Sequence, residues 1–476
     1  MGKSEGFLAR LCREIEPAIE ILILLSVWLM AFLIRIFSVI RYESIIHEFD
    51  PWFNYRTTRH LVESGLYEFW NWYDPESWYP LGRAVGPTVY PGLMSTAASI
   101  YWACHSLGFP VDIRNVCVFL APCFAGLCAI ATYLLTRECT GKKGPALFAG
   151  VFAAIVPSYI SRSVAGSYDN EGVAIFALIF TFYLWIKSVN TGSIKWSIAC
   201  SMSYFYMVAA WGGYSFIINI IPIYVLGLII IKKFNMKVYV AYTVFYVVGS
   251  TMAMQIPFVN YAVIRSSEHL ASHGVFFVCQ LYVLIEWIKK QITKEQYDRI
   301  TRFIVISGGA IGLVVFFYLT LTGITRWSGR SMTLLDPTYA KKYIPIIASV
   351  SEHQPTTWGT FFMDLHNLLL FMPVGFYYCY KRVTYGSLFI ALYGVLAVYF
   401  SCVMIRLLLV LAPAVCVLGG IGISELISAF SDSIFSVFSS EEKEAVKEET
   451  AAPVEEEVTE DSNKKGGKGK KGQKKP

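Results

Sequence analysis

The sequence predicts an all-α, polytopic membrane protein, a bundle of about twelve transmembrane helices with long loops on one face. Three observations carry that expectation. Of the 476 residues, 55% are hydrophobic and 16% charged, and the mean hydropathy is +0.51. Apolar runs of roughly 20 residues, long enough to cross a hydrocarbon core of ~30 Å, recur along most of the chain. Lysine and arginine gather in every second connection between those runs, as the positive-inside rule requires. Such a composition excludes an ordinary soluble domain.

The first run, Ala18 to Ile40, is flanked by Arg10 and Arg13. It is too long for a signal-peptide core and lacks a small-residue cleavage site, so it reads as a retained signal-anchor with residues 1–17 in the cytosol. Further runs follow at 115–135, 145–162, 172–187, 194–211, 213–231, 237–256, 273–288, 302–322, 359–380, 386–402 and 403–425. The basic connections are Arg137/Lys142/Lys143, Lys187/Lys195, Lys232/Lys233, Lys289/Lys290/Lys294 and Lys381/Arg382. They alternate with connections poor in basic residues.

Segment 88–107 is also apolar. Counting it as a span would place those basic clusters outside, so it is expected to lie at or above the outer surface. It then belongs to a first external loop, 41–114. The early part of that loop holds Trp52, Trp70, Trp72, Trp78, Tyr79 and Pro80, which suits a membrane interface. A second external loop covers 323–358, a length that usually serves function. The membrane domain therefore covers 18–430.

Residues 431–476 form a charged tail of different composition, expected to be disordered and cytosolic. Ten acidic residues lie between Glu441 and Asp461, and a Lys/Gly-rich end runs from Lys464 to Pro476. The net charge of +6 reflects this distribution, and a nucleic-acid substrate is not expected. The eleven cysteines sit mostly in apolar runs and show neither zinc nor disulfide spacing.

Three acidic motifs interrupt this apolar chain: Glu48-Phe49-Asp50, Asp169-Asn170-Glu171 and Ser349-Val350-Ser351-Glu352. With the topology above, all three face the external side. Carboxylates beside apolar spans are costly to desolvate and mark ion, proton or substrate handling. Their hard oxygens suit Mg²⁺ or Mn²⁺ rather than a soft metal. Arg406, a few residues inside the last span near its external end, could hold an anion such as a lipid-linked phosphate. Taken singly, each has a plainer reading. Asp50 before Pro51 can open a helix, Asp169 and Glu171 can serve as helix N-terminal charges, Glu352 can be an exposed loop residue, and Arg406 can pair with a carbonyl or a neighbouring carboxylate.

Together the motifs resemble a known family. The strings Phe49-Asp50-Pro51-Trp52-Phe53-Asn54-Tyr55-Arg56, Ser161 to Gly172, Trp211-Gly212-Gly213-Tyr214, Trp327-Ser328-Gly329-Arg330 and Ser349 to Pro355 are similar to the catalytic subunit of eukaryotic oligosaccharyltransferase, over about residues 15–425. The resemblance implies a GT-C glycosyltransferase fold in the endoplasmic reticulum membrane. It implies transfer of a preassembled oligosaccharide from dolichyl pyrophosphate to the asparagine amide of Asn-X-Ser/Thr in nascent polypeptides. It implies partners as well: other oligosaccharyltransferase subunits, and around them the translocon and ribosome. Carried over by position, Asp50, Asp169 and Glu171 would bind the Mn²⁺ or Mg²⁺. Asp50 and Glu352 would grip the acceptor amide, Arg406 would hold the pyrophosphate, and Arg162 would be a further residue needed for activity. Two carboxylates on the amide N–H groups would localise a lone pair otherwise delocalised into the carbonyl, and attack opposite the leaving group implies inversion.

The family also carries a lumenal domain with a Trp-Trp-Asp-Tyr-Gly string after one further span, and this chain contains no such string. On that ground acceptor binding is expected to suffer and transferase activity to be weak or absent. A fragment, a truncated isoform and a subunit completed by another polypeptide all fit. Three rival functions remain at this point: a non-catalytic scaffold, an ion- or proton-coupled transporter, and a polyprenyl-phosphate-sugar transferase acting on hydroxyls.

Overall fold

The structure is a computed structural model that describes residues 7–291, 293–323, 329–336 and 338–450. Trp327-Ser328 and the Lys/Gly-rich end lie outside the described residues. The chain divides into two units, Met1–Glu425 and Leu426–Pro476. In the second, the described residues up to Thr450 are helical.

Each expected apolar run becomes helix. The helices are Ile113–Thr140, Glu171–Thr191, Ile194–Ala210, Tyr214–Ile230, Met236–Ala253, Leu270–Lys289, Lys294–Leu321 and Tyr385–Val403. Four runs are broken. The first separates at Ile36 into Phe7–Arg35 and Phe37–Tyr42. The third stops at Ile155 because Pro157 pushes Val156 into extended backbone (φ −65°, ψ 124°). The run at 359–380 divides into Trp358–Leu365 and Leu368–Lys381 around His366, at φ +50°. The last begins with extended Met404 and a short turn, Ile405–Leu407, before the helix Leu408–Thr450.

Six helices are long and apolar enough to cross a bilayer among the described residues: Glu14–Tyr42, Ile113–Thr140, Glu171–Thr191, Ser267–Lys289, Tyr385–Val403 and Ile405–Ile434. The 88–107 segment forms a helix of 15 residues, Gly92–Ser106. At ~1.5 Å per residue it is shorter than the hydrocarbon core. It packs Leu93, Met94, Ala97 and Ala98 inward.

Helix Glu171–Thr191 is buried nearly all round, which is the pattern of a helix enclosed by others. Its Trp185 meets Tyr224, Tyr242 and Phe245, and Phe182 packs on Phe389 and Tyr393. Neighbouring helices approach closely where side chains vanish. A Cβ on Gly375 would stand 2.1 Å from the Leu418 carbonyl oxygen.

The charged connections sort to opposite ends of these helices. At one end Arg137 and Lys143 pair with Glu20, while Lys142 and Arg382 share Glu425. At the other end four connecting segments meet: 43–48, 161–170, 350–357 and 404–407.

Candidate active site

Hydrogen bonds between distant stretches of chain bring the acidic motifs to that second end. Tyr168 is fully buried, and its carbonyl accepts from Asn54 Nδ2 at 3.1 Å while its hydroxyl pairs with Thr58 at 2.8 Å. The His47 amide donates to the Gly166 carbonyl at 3.0 Å. The first turns of helix Phe49–Asn71, with Asp50 in its opening turn, are thus fastened to the segment that carries Asp169. A second seam joins the other two segments. The Ile405 amide donates to the Gln354 carbonyl at 3.0 Å, and Thr356 Oγ1 donates to the Ser401 carbonyl at 2.5 Å. Glu352 and Arg406 therefore stand side by side although 54 residues of chain separate them.

The centre is a chain of alternating charges. Glu171 has no solvent exposure and opens its helix. Its Oε1 accepts from Arg406 Nε at 2.8 Å and stands 2.7 Å from Arg406 Nη2. Its Oε2 lies 3.7 Å from Arg162 Nε and takes part in no hydrogen bond. Arg162 Nη2 donates to Glu352 Oε1, and Arg406 Nη1 lies 3.9 Å from Glu352 Oε2. Two arginines and two glutamates from three separate segments thus form one cluster. Both arginine side chains are about a third exposed.

Asp169 adjoins this cluster. The Asn170 amide donates to its Oδ1 at 2.6 Å. Burial and the charge of Glu171 push its carboxyl up to about 6, with Asp50 adding to the rise against the opposing Asn170 amide and Arg406. Burial acts on Glu352 in the same sense, but Arg162 and Arg406 hold its carboxyl below the ordinary range. Asp50 is exposed and enters through its charge on Asp169.

Toward a hard dication the donor set is partial: the Oε2 of Glu171 is buried without a hydrogen-bond partner, and Glu171 and Asp50 both act through their charge on Asp169. Among the described residues, no three His, Cys, Asp or Glu side chains are grouped closely enough to enclose an ion. Arg162, Glu171, Glu352 and Arg406 are in contact, whereas Asp169 and Asp50 adjoin them through charge.

The pairing of Arg162 with Glu352 was not readable from the sequence, nor were the roles of His47, Asn54 and Tyr168. Arg35 had a signal: it is the only charged residue between positions 21 and 40. It is fully buried and bonds Ser163 and the Ala154 carbonyl.

A family profile described as oligosaccharyl transferase STT3, N-terminal, matches residues 18–419. The chain is 55% identical over 409 residues to the dolichyl-diphosphooligosaccharide–protein glycosyltransferase subunit stt-3 of Caenorhabditis elegans, covering 85% of this chain and 54% of that protein. It is 50% identical over 416 residues to subunit STT3 of Dictyostelium discoideum, covering 87% and 58%. The chain thus spans about half the length of the curated relatives it matches. Among solved structures it is similar to the archaeal oligosaccharyltransferase AglB from Archaeoglobus fulgidus in complex with an inhibitory peptide and a dolichol-phosphate. That likeness has a TM-score of 0.67 at 17% identity and covers 88% of this chain and 52% of the other. A second structure of the archaeal enzyme, complexed with Zn and sulfate, gives a TM-score of 0.60 at 17% identity, covering 88% and 51%. These likenesses establish the fold.

Proposed function

This chain belongs to the oligosaccharyl transferase STT3 family, and on that premise we propose that its membrane domain carries the reaction centre for N-linked glycosylation. The substrates are a dolichyl-pyrophosphate oligosaccharide and the asparagine amide of Asn-X-Ser/Thr in a nascent polypeptide. The observation that carries this reading is the cluster of Arg406, Glu171, Arg162 and Glu352. It offers guanidinium groups for a pyrophosphate and carboxylates for an amide at one accessible place.

The residues divide the work by charge. Arg406, anchored on Glu171, is placed to meet the pyrophosphate and stabilise charge as the bond from the anomeric carbon to oxygen breaks. Glu352 and Asp50 accept the two N–H bonds of the acceptor carboxamide. That contact withdraws the nitrogen lone pair from the carbonyl and fixes it for attack on the opposite face of the sugar. The amide N–H proton passes to a carboxylate as the nitrogen–carbon bond forms, with inversion at the anomeric carbon. Arg162 keeps Glu352 ionised and oriented before the acceptor arrives. Mn²⁺ or Mg²⁺ held by Asp50, Asp169 and Glu171 would supply further positive charge to the leaving group.

In this reading the chain is a multi-pass protein of the endoplasmic reticulum membrane with about twelve spans. Loops 41–114 and 323–358 face the lumen, and the N-terminus and the tail 431–476 face the cytosol. The separation of acidic and basic connections to opposite helix ends supports that orientation. Other oligosaccharyltransferase subunits are the expected partners, with the translocon and ribosome beyond them.

Asp169→Asn tests the reading. Sequon glycosylation should be lost while assembly with partner subunits persists. Unchanged glycosylation with assembly intact would favour a scaffold instead.

A further inference from the structure

We infer that Arg35 is a positioning residue for the reaction centre, clamping the segment 161–170 that presents Arg162 and Asp169. The inference rests on the function proposed above.

Arg35 ends the first helix and has no solvent exposure. Its Nε donates to Ser163 Oγ at 2.7 Å, and its Nη1 donates to the carbonyls of Ala31 and Ala154 at 2.9 and 2.8 Å. Its guanidinium lies 5.3 Å from the centre of the Tyr159 ring. Every one of these partners is neutral, and Nη2 is buried with no hydrogen-bond partner. A charge placed so deep without a counter-ion is a poor stabilising device, because an apolar side chain of similar volume avoids the desolvation penalty. The gain must come from what the guanidinium fork joins. A lysine ammonium is a single compact donor and does not reproduce that spread.

The backbone of the same residue grips the same segment. The helix breaks at Ile36, and the Arg35 carbonyl accepts the Ala165 amide at 2.9 Å. Ser38 Oγ then donates to the Ala165 carbonyl at 2.6 Å. Residues 163 and 165 are therefore held from one point. Between Ser163 and the cluster lies one peptide bond, since Arg162 pairs with Glu352 and faces Glu171. A second route runs through Tyr159, whose hydroxyl donates to the Gly172 carbonyl in the first turn after Glu171. Displacement of about 1 Å at a reacting group lowers rate up to roughly 100-fold, so a clamp on Arg162 is a kinetic device.

The test uses the full chain in its native membrane assembly with variants R35K, R35M, S163A and R35M/S163A. Transfer from dolichyl-pyrophosphate oligosaccharide to a sequon peptide is measured per folded molecule, beside hydrogen–deuterium exchange over residues 161–170. The expected result is a kcat about tenfold lower or more in R35M, with donor KM changed less, because the backbone at Arg406 is also held by the Ile405–Gln354 bond. R35K should recover little, S163A should fall severalfold, and the double variant should be no worse than R35M. Exchange over 161–170 should rise in R35M while the rest of the bundle is unchanged. Wild-type kcat in S163A or R35M, independent effects in the double variant, or unchanged exchange would overturn the inference. If R35M fails to fold, S163A and R35K decide it by the same readouts. Where the wild-type chain transfers too little to measure, the exchange over residues 161–170 alone decides whether Arg35 clamps the segment, and the proposed function is judged separately by Asp169→Asn.

Discussion

Arg406 Nε donates to Glu171 Oε1 at 2.8 Å across 235 residues of sequence, and the carboxylate it reaches has no exposure to solvent. The pair is unequal. Glu171 is enclosed and has the arginine as its hydrogen-bond partner, whereas the Arg406 side chain is about a third exposed.

That inequality predicts an order of stabilities. Arg406→Ala leaves a buried carboxylate without its main partner and should destabilise by about 2–3 kcal/mol, below the full value for a completely buried pair. Glu171→Gln leaves a partly exposed arginine and should lower the melting temperature less. Thermal unfolding of the solubilised protein checks this, and a larger loss in Glu171→Gln would contradict it.

Asp169 predicts a pH dependence for metal binding. Its carboxyl, raised to about 6 by burial and by Glu171, is neutral below that pH and must lose its proton to act as a ligand. Mn²⁺ affinity should therefore rise with pH through about 6 and be roughly tenfold weaker at pH 5 than at pH 7. Electron paramagnetic resonance titration of Mn²⁺ measures this, and Asp169→Asn should flatten the profile.

Two glycines separate backbone conformation from crowding. Gly166 and Gly108 both adopt left-handed φ, +95° and +82°. A Cβ on Gly166 would stand 2.3 Å from the Ile45 carbonyl oxygen, whereas one on Gly108 meets nothing within 4 Å. Both alanine variants should lose about 1 kcal/mol to the backbone term. Only Gly166→Ala should also shift the segment bearing Asp169 and depress transfer, read by activity per folded molecule.

The seam beside Glu352 gives a further test. Thr356 Oγ1 donates to the Ser401 carbonyl, so Thr356→Val should weaken the hold by about 1 kcal/mol. A severalfold lower transfer rate at unchanged expression is expected, measured on a sequon peptide.

Much of this was legible in the chain itself. Apolar length marked the helices, and the alternation of basic connections gave the expectation that the acidic motifs and Arg406 share one side; of these, Glu171, Glu352 and Arg406 stand together with Arg162. Partner choice was not legible, because Arg162 and Glu352 are 190 positions apart and nothing local selects one carboxylate over another. The helix break after Arg35 was also hidden: Ile36 is neither proline nor glycine, and the break follows from the bond between the Arg35 carbonyl and Ala165. Pro157 carried a local signal for the break in the third run, which the expected span 145–162 passed over.

If Glu352 acts on the acceptor amide inside the arginine cluster, the transfer rate of Glu352→Gln reports it. Glutamine keeps the volume but removes the charge held by Arg162, so transfer to a sequon peptide should fall by roughly 100-fold or more, with the protein assembled and donor binding retained. Turnover at the wild-type rate in Glu352→Gln would contradict the account.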